Sequence, residues 1–95
     1  MPEDGLILTR AFASAGTVGN VNGTFYCGIG LRESAGAVAT IRIRENNASG
    51  KIRDAVQFAA NASVSYYYGD APIYCDGPIY MELVAGAVEG TLRYR

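Results

Sequence analysis

The side chains that most often carry chemistry are thinly supplied in this chain. Its 95 residues include no His. That removes the commonest general base near neutral pH and the commonest metal ligand. Ser-His and Cys-His nucleophile pairs are excluded with it. Two Cys, Cys27 and Cys75, give no zinc site without His partners. The acids stand singly along the chain, apart from Glu3-Asp4, so nothing in the sequence supports a carboxylate pair across a cleft. The glycine-rich GTVGNVNG, residues 16–23, lacks the Lys-Ser/Thr ending of a phosphate loop and is not followed by a helix pattern. The expectation is a protein that is not an enzyme and takes no metal or other cofactor.

Other candidate sites have plainer readings. Asn22-Gly-Thr24, Asn47-Ala-Ser49 and Asn61-Ala-Ser63 match the glycosylation pattern. All three fall at expected turns, where Asn is ordinary, and turn chemistry is the favoured reading. Two Cys are too few for a disulfide scaffold, so two free thiols are the default. A Cys27–Cys75 bridge would require the pair to meet on neighbouring strands. The arginines Arg32, Arg42, Arg44, Arg93 and Arg95 would form a basic strip if their strands were neighbours. A solvated face balanced by Glu33, Glu82 and Glu89 is the favoured reading, and a docking face for an acidic partner is the alternative.

The aromatic residues are more unevenly placed. SVSYYYGDAPIYCDGPIY, residues 63–80, holds Tyr66, Tyr67, Tyr68, Tyr74 and Tyr80, five of the seven Tyr. Tyr is an ordinary strand residue, but neighbours on a strand point to opposite faces. At least one of Tyr66, Tyr67 and Tyr68 must therefore face away from the core. Val64 with Tyr66 or Tyr68 are the inward candidates, and Tyr67 and Tyr80 the expected exposed members. An outward Tyr beside Tyr80 would make an aromatic patch suited to a protein interface. A sugar platform is the weaker alternative, since such platforms favour Trp and the chain has none. The interface candidates are Tyr67, Tyr80, Tyr68, Arg42, Arg44 and Arg32.

The elements that must hold these residues repeat with a period of two. In AVATIRIRE, residues 37–45, Ala39, Ile41 and Ile43 share one face while Thr40, Arg42 and Arg44 share the other. Ile79, Met81 and Leu83 oppose Tyr80 and Glu82, and Val88, Leu92 and Tyr94 oppose Glu89, Thr91, Arg93 and Arg95. Cys27, Ile29 and Leu31 oppose Tyr26, Gly28, Gly30 and Arg32. Ile52, Val56 and Phe58 form a less regular inward set. Asn, Asp and Gly cluster between the runs, with Asp76-Gly77 a hairpin signal. The spacing predicts an all-β, single-domain antiparallel β-sandwich, jelly-roll-like, of about seven or eight short strands with no substantial helix. Strands are expected near 6–13, 24–33, 37–45, 51–59, 62–68, 72–75, 78–85 and 87–95, with 14–23 a long irregular loop and one domain over 1–95.

Composition narrows the partners. Charged residues make up 18% of the chain, below the ~25% of a typical soluble domain, so some surface is expected to be covered. Net charge is −1 with no basic run, which argues against nucleic acid. No apolar stretch reaches ~18 residues, which argues against a membrane helix. MPEDGLILTR begins with acids and reads as no secretory signal, so synthesis in the cytoplasm is expected.

The segment from Leu31 onward resembles a widespread group of small all-β proteins encoded by tailed phages and prophages. The matching pieces are Arg32 to Arg44, Ala48 to Gly50, Phe58 to Ser63, Tyr67 to Gly69 and Gly77 to Leu92, roughly two-thirds of the chain. They are turn and strand motifs, and Cys75, Pro72 and Pro78 depart from the pattern. The resemblance implies a virion structural component, such as a head decoration or cement protein on the outer capsid surface. Its partner would be the major capsid protein, and homo-oligomers or lattice neighbours are expected. A tail or fibre component and a carbohydrate- or receptor-binding module are the alternatives.

Overall fold

The computed structural model describes residues 8–12 and 15–95. The described residues form nine strands and no helix. They are β1 (Leu8–Phe12), β2 (Gly16–Val18), β3 (Thr24–Glu33), β4 (Ala39–Glu45), β5 (Ile52–Phe58), β6 (Ser63–Tyr67), β7 (Ile73–Cys75), β8 (Ile79–Ala85) and β9 (Val88–Tyr94). One sheet runs β1-β9-β3-β6, with β7 also on β3, and the other runs β2-β8-β4-β5. All pairings are antiparallel.

These pairings describe one long hairpin rolled up. β4 pairs β5 at its tip, then β3 pairs β6 and β7, β2 pairs β8, and β1 pairs β9. Rolling then brings β9 onto β3 and β8 onto β4. That is the jelly-roll order, which packs two sheets around one core. The core is Val18, Tyr26, Ile29, Leu31, Ala39, Ile41, Ile43, Val56, Phe58, Cys75, Ile79, Met81, Val88 and Leu92. The faces expected for β4, β8 and β9 are the faces seen.

Three expectations are corrected. Within 14–23, Gly16–Val18 forms β2 and Val18 enters the core. Three residues are too few to show a period, so the strand is invisible in the sequence. Residues 6, 7, 13 and 14 lie outside the described residues. Ile52 points outward, not inward, because the β4–β5 ladder skips Arg53 between Asp54 and Ile52. The extra residue turns Ile52 to the face of Arg44. Tyr26 is fully buried where strict alternation placed it outside. Here β3 takes in Cys27 as an extra residue, since Tyr26 pairs Tyr94 but Gly28 pairs Arg93. Thr24 and Tyr26 thus point in before the bulge, and Ile29, Leu31 and Glu33 point in after it.

Gly28 completes that bulge with φ of 126°, and a Cβ there would collide with the Tyr66 carbonyl. Only glycine tolerates this backbone together with so close a neighbouring strand. Tyr26 is held by its hydroxyl, which donates to Asp54 Oδ2 at 3.0 Å. Burial first, then the Asp54 carboxylate, pushes its phenol far above the usual range.

At the other end of the sandwich Glu33 is a buried acid with four backbone donors. The N–H groups of Ala35, Gly36 and Ala37 donate to it at 2.6, 2.8 and 3.1 Å, and that of Asn61 at 2.8 Å. The Asn61 bond leads in holding its carboxyl below the usual carboxylate range, against the opposing effect of burial. Asn61 has φ of 61°, the left-handed turn that Asn accepts. One carboxylate thereby fixes the β3–β4 connection and the turn that delivers the chain into β6.

Cys27 and Cys75 are both fully buried free thiols. Burial raises both, and it carries Cys75 to about 11 with help from the Glu45 charge.

Gly28→Ala should cost at least about 2 kcal/mol in urea denaturation, from strain plus the clash with β6. A loss within error would refute the close approach. Glu33→Gln should lower Tm by about 5 °C or more at pH 7. Because the folded Glu33 is the stronger acid, its contribution is full above the unfolded value of ~4.3 and fades as pH falls through the folded one. The gap between variant and wild type should therefore narrow below pH ~4, and a gap that widens there would contradict the assignment. Neither native thiol should react with an aromatic disulfide reagent at pH 8, while both should do so in denaturant.

Candidate assembly surface

The rolled topology decides which candidate residues meet. Tyr67 lies on β6, on the outer face of the five-stranded sheet, and Tyr80 lies on β8, on the outer face of the other. The two cannot form one patch. Tyr80 is half-buried opposite Thr17 and Arg44. Tyr68 turns inward, half-buried against the core, with its ring edge-on to Tyr26 at 5.8 Å. Tyr66 stacks on Tyr68 at 6.3 Å between centroids. Tyr26, Tyr68 and Tyr66 thus form an aromatic ladder from the core to the β6 edge. Burial, then Asp54, raises the Tyr68 phenol as well.

The arginines divide in the same way. Arg42 and Arg44 lie outward on β4, both on Glu82, at 3.7 and 2.8 Å. Arg44 also donates to the Gly50 carbonyl at 2.8 Å. Arg32 lies on the other sheet, paired with Glu89 at 2.5 Å. There is no single basic strip, and each exposed pair is worth about 0–1 kcal/mol. Arg93 instead reaches across the floor left by Gly30 and donates to the carbonyls of Ile29 and Tyr66, both at 2.9 Å. It ties β9 to β6 over the central strand.

What the five-stranded sheet offers outward is aromatic. Tyr67 is 62% exposed, Tyr74 46% and Phe25 39%. Phe25 and Tyr74 face each other across β3 and β7 with ring centroids 5.3 Å apart, and the Arg95 guanidinium sits 5.5 Å over Phe25. Tyr74 lies against Gly23, and its hydroxyl donates to the Asn22 carbonyl at 3.4 Å. Val21, 79% exposed, stands on the same loop. An edge-to-face pair capped by a cation is a rigid contact surface that costs little entropy to bury. Sequence reading missed Phe25 because the bulge at Cys27 reverses the faces before it. The spacing Gly28-x-Gly30 inside a strand was the available hint.

Beside this face, β3, β6 and β9 outline a shallow, open depression of about 510 Å³, bordered by Gly30, Arg32, Ser63, Glu89, Gly90 and Thr91. Two glycines and the Arg32–Glu89 ion pair are among its lining residues, and so open a depression suits contact with another protein surface better than enclosure of a small molecule. Among the described residues no group of His, Cys, Asp and Glu is arranged to hold a metal ion. No described helix is long and apolar enough to cross a membrane.

No family model matches the chain, and no curated protein does. Its fold is similar to that of a chain from the disulfide-linked pili that form Bacillus endospore appendages. The TM-score is 0.56 at 13% identity, over 93% of this chain and 80% of that one. At that identity the likeness is one of fold: a β-sandwich of the same architecture.

Proposed function

We propose that this protein is a non-enzymatic structural component of a virus particle, a decoration or cement protein on the outer surface of a phage head. It binds across neighbouring major capsid protein subunits and stabilises the shell by mass action, since a ligand of the assembled state alone adds its binding free energy to that state. The observation that carries this reading is the exposed aromatic face of Phe25, Tyr67 and Tyr74 with Arg95, on a chain otherwise sparing of charge. Aromatic and Arg anchors are what protein interfaces use. The resemblance of the segment from Leu31 onward to small phage proteins supplies the kind of particle. A tail or fibre component is the second reading, favoured by the likeness to a chain that builds pili. Copy number separates the two: hundreds per particle belong to the head, a few to tens to the tail.

Particles lacking this protein should lose their DNA at a lower temperature, or open under milder osmotic shock, than particles carrying it. Added protein should restore the difference, and a Phe25→Ala/Tyr74→Ala variant should restore it at least about tenfold less well by concentration. Equal integrity with and without the protein would contradict the cement role.

A further inference from the structure

Among the described residues strand β6 is an open edge of its sheet, and its backbone can be sorted residue by residue. The N–H of Tyr68 donates to the Cys27 carbonyl at 2.7 Å, and the Ala62 carbonyl accepts from Glu33 at 2.9 Å. The register between these points is unbroken, Ile29 opposite Tyr66 and Leu31 opposite Val64. In an antiparallel ladder each residue turns both its backbone groups to one side, and neighbours turn to opposite sides. Ala62, Val64, Tyr66 and Tyr68 therefore face β3. Ser63, Ser65 and Tyr67 present their N–H and C=O to the outside.

Exposed edges are normally guarded by charge, proline, bulges or shortness. The β5 edge has all but proline of the first three: Arg53 and Asp54 in the strand, Lys51 before it, and the extra residue at Arg53. β2 has only three residues, and β1 carries Arg10. β6 reads SVSYY, with no charge, no proline and no register shift against β3. It is the one described edge of five or more residues without a charged residue.

We propose that a second copy of this chain docks on β6 by antiparallel strand pairing about a two-fold axis through Ser65, an inference that rests on the assembly reading above. The sequence of β6 is complementary to itself in that register. Ser65 meets Ser65 of the second copy at the axis, Tyr67 meets Ser63, and Tyr66 meets Val64. No tyrosine thus faces another tyrosine, and the outward-directed backbone groups form three hydrogen-bonded residue pairs. A two-fold contact uses both open edges and closes. The charged, bulged β5 edge opposes the head-to-tail alternative, which would grow into a filament. The dimer is a continuous sheet carrying two aromatic faces side by side, a spacing suited to bridging a boundary between capsid subunits.

The chain should sediment as a dimer, and Ser65→Lys should weaken dimerisation at least about tenfold with an unchanged circular dichroism spectrum. Mild oxidation of Ser65→Cys should give a covalent dimer, because hydrogen-bonded partners have Cα atoms about 5.5 Å apart, within disulfide reach. Ser63→Cys alone should not cross-link, since four residues separate it from its symmetry mate along the strand, about 13 Å. A mixture of Ser63→Cys and Tyr67→Cys should cross-link. A monomeric wild type, a dimer that Ser65→Lys leaves intact, a ladder of higher oligomers, or a Ser65→Cys dimer that stays unlinked would each overturn the proposal. A monomer that still protects particles would overturn the dimer and leave the cement role standing. A β6 dimer that protects none would do the reverse.

Discussion

Between Tyr26 and Gly28 the ladder of β3 against β9 takes in one residue too many, and the rest of the five-stranded sheet is arranged around it. The extra residue, Cys27, swaps the faces of everything before it. Tyr26 goes into the core with its hydroxyl on Asp54, and Phe25 goes out to meet Tyr74. Gly28 must then adopt a backbone that side chains resist, directly beneath the Tyr66 carbonyl. Because β3 is bordered by β9 on one side and by β6 and β7 on the other, a single inserted residue sets both the aromatic interior and the aromatic exterior.

The opposite end of the sandwich is governed by a carboxylate. Glu33 gathers the amides of the 35–37 loop and of Asn61, which lies 28 residues beyond Glu33 itself, and so joins two stretches distant in sequence. Together they enclose the Glu33 carboxylate in a buried cradle made of backbone. The turn they form launches β6, whose outer edge has no strand partner among the described residues and whose side chains are uncharged. Architecture and surface thus point the same way. Among the described residues the framework leaves exposed a strand edge without charge and a face rich in aromatic residues.

Much of this was legible in the sequence, and the limits have clear causes. β4, β8 and β9 could be read with their faces, because Ile41 and Ile43, Ile79 and Met81, and Val88 and Leu92 alternate without interruption. Glu33, expected on a solvated face, is buried among the amides it binds, and the other misplaced residues, Tyr26 and Ile52, both sit beside an inserted residue, at Cys27 and at Arg53. Such insertions are fixed by the partner strand, which local periodicity does not contain. The expected Tyr67–Tyr80 patch failed for a larger-scale reason. β6 and β8 are close in sequence but belong to opposite sheets, because the rolled hairpin sends the chain across the core between β7 and β8. The expectation that one of the three consecutive tyrosines faces away from the core rested on pleat geometry alone, and Tyr67 is that residue.

Residue-resolved amide exchange, on the dilute free chain and on the chain bound to particles, tests the central claim most directly. The amides of Ser63, Ser65 and Tyr67 should exchange rapidly in the dilute chain and slow markedly on the particle, while those of Val64, Tyr66 and Tyr68 stay slow in both. Equal exchange of the odd-numbered amides in the two states would contradict an assembly built on this edge.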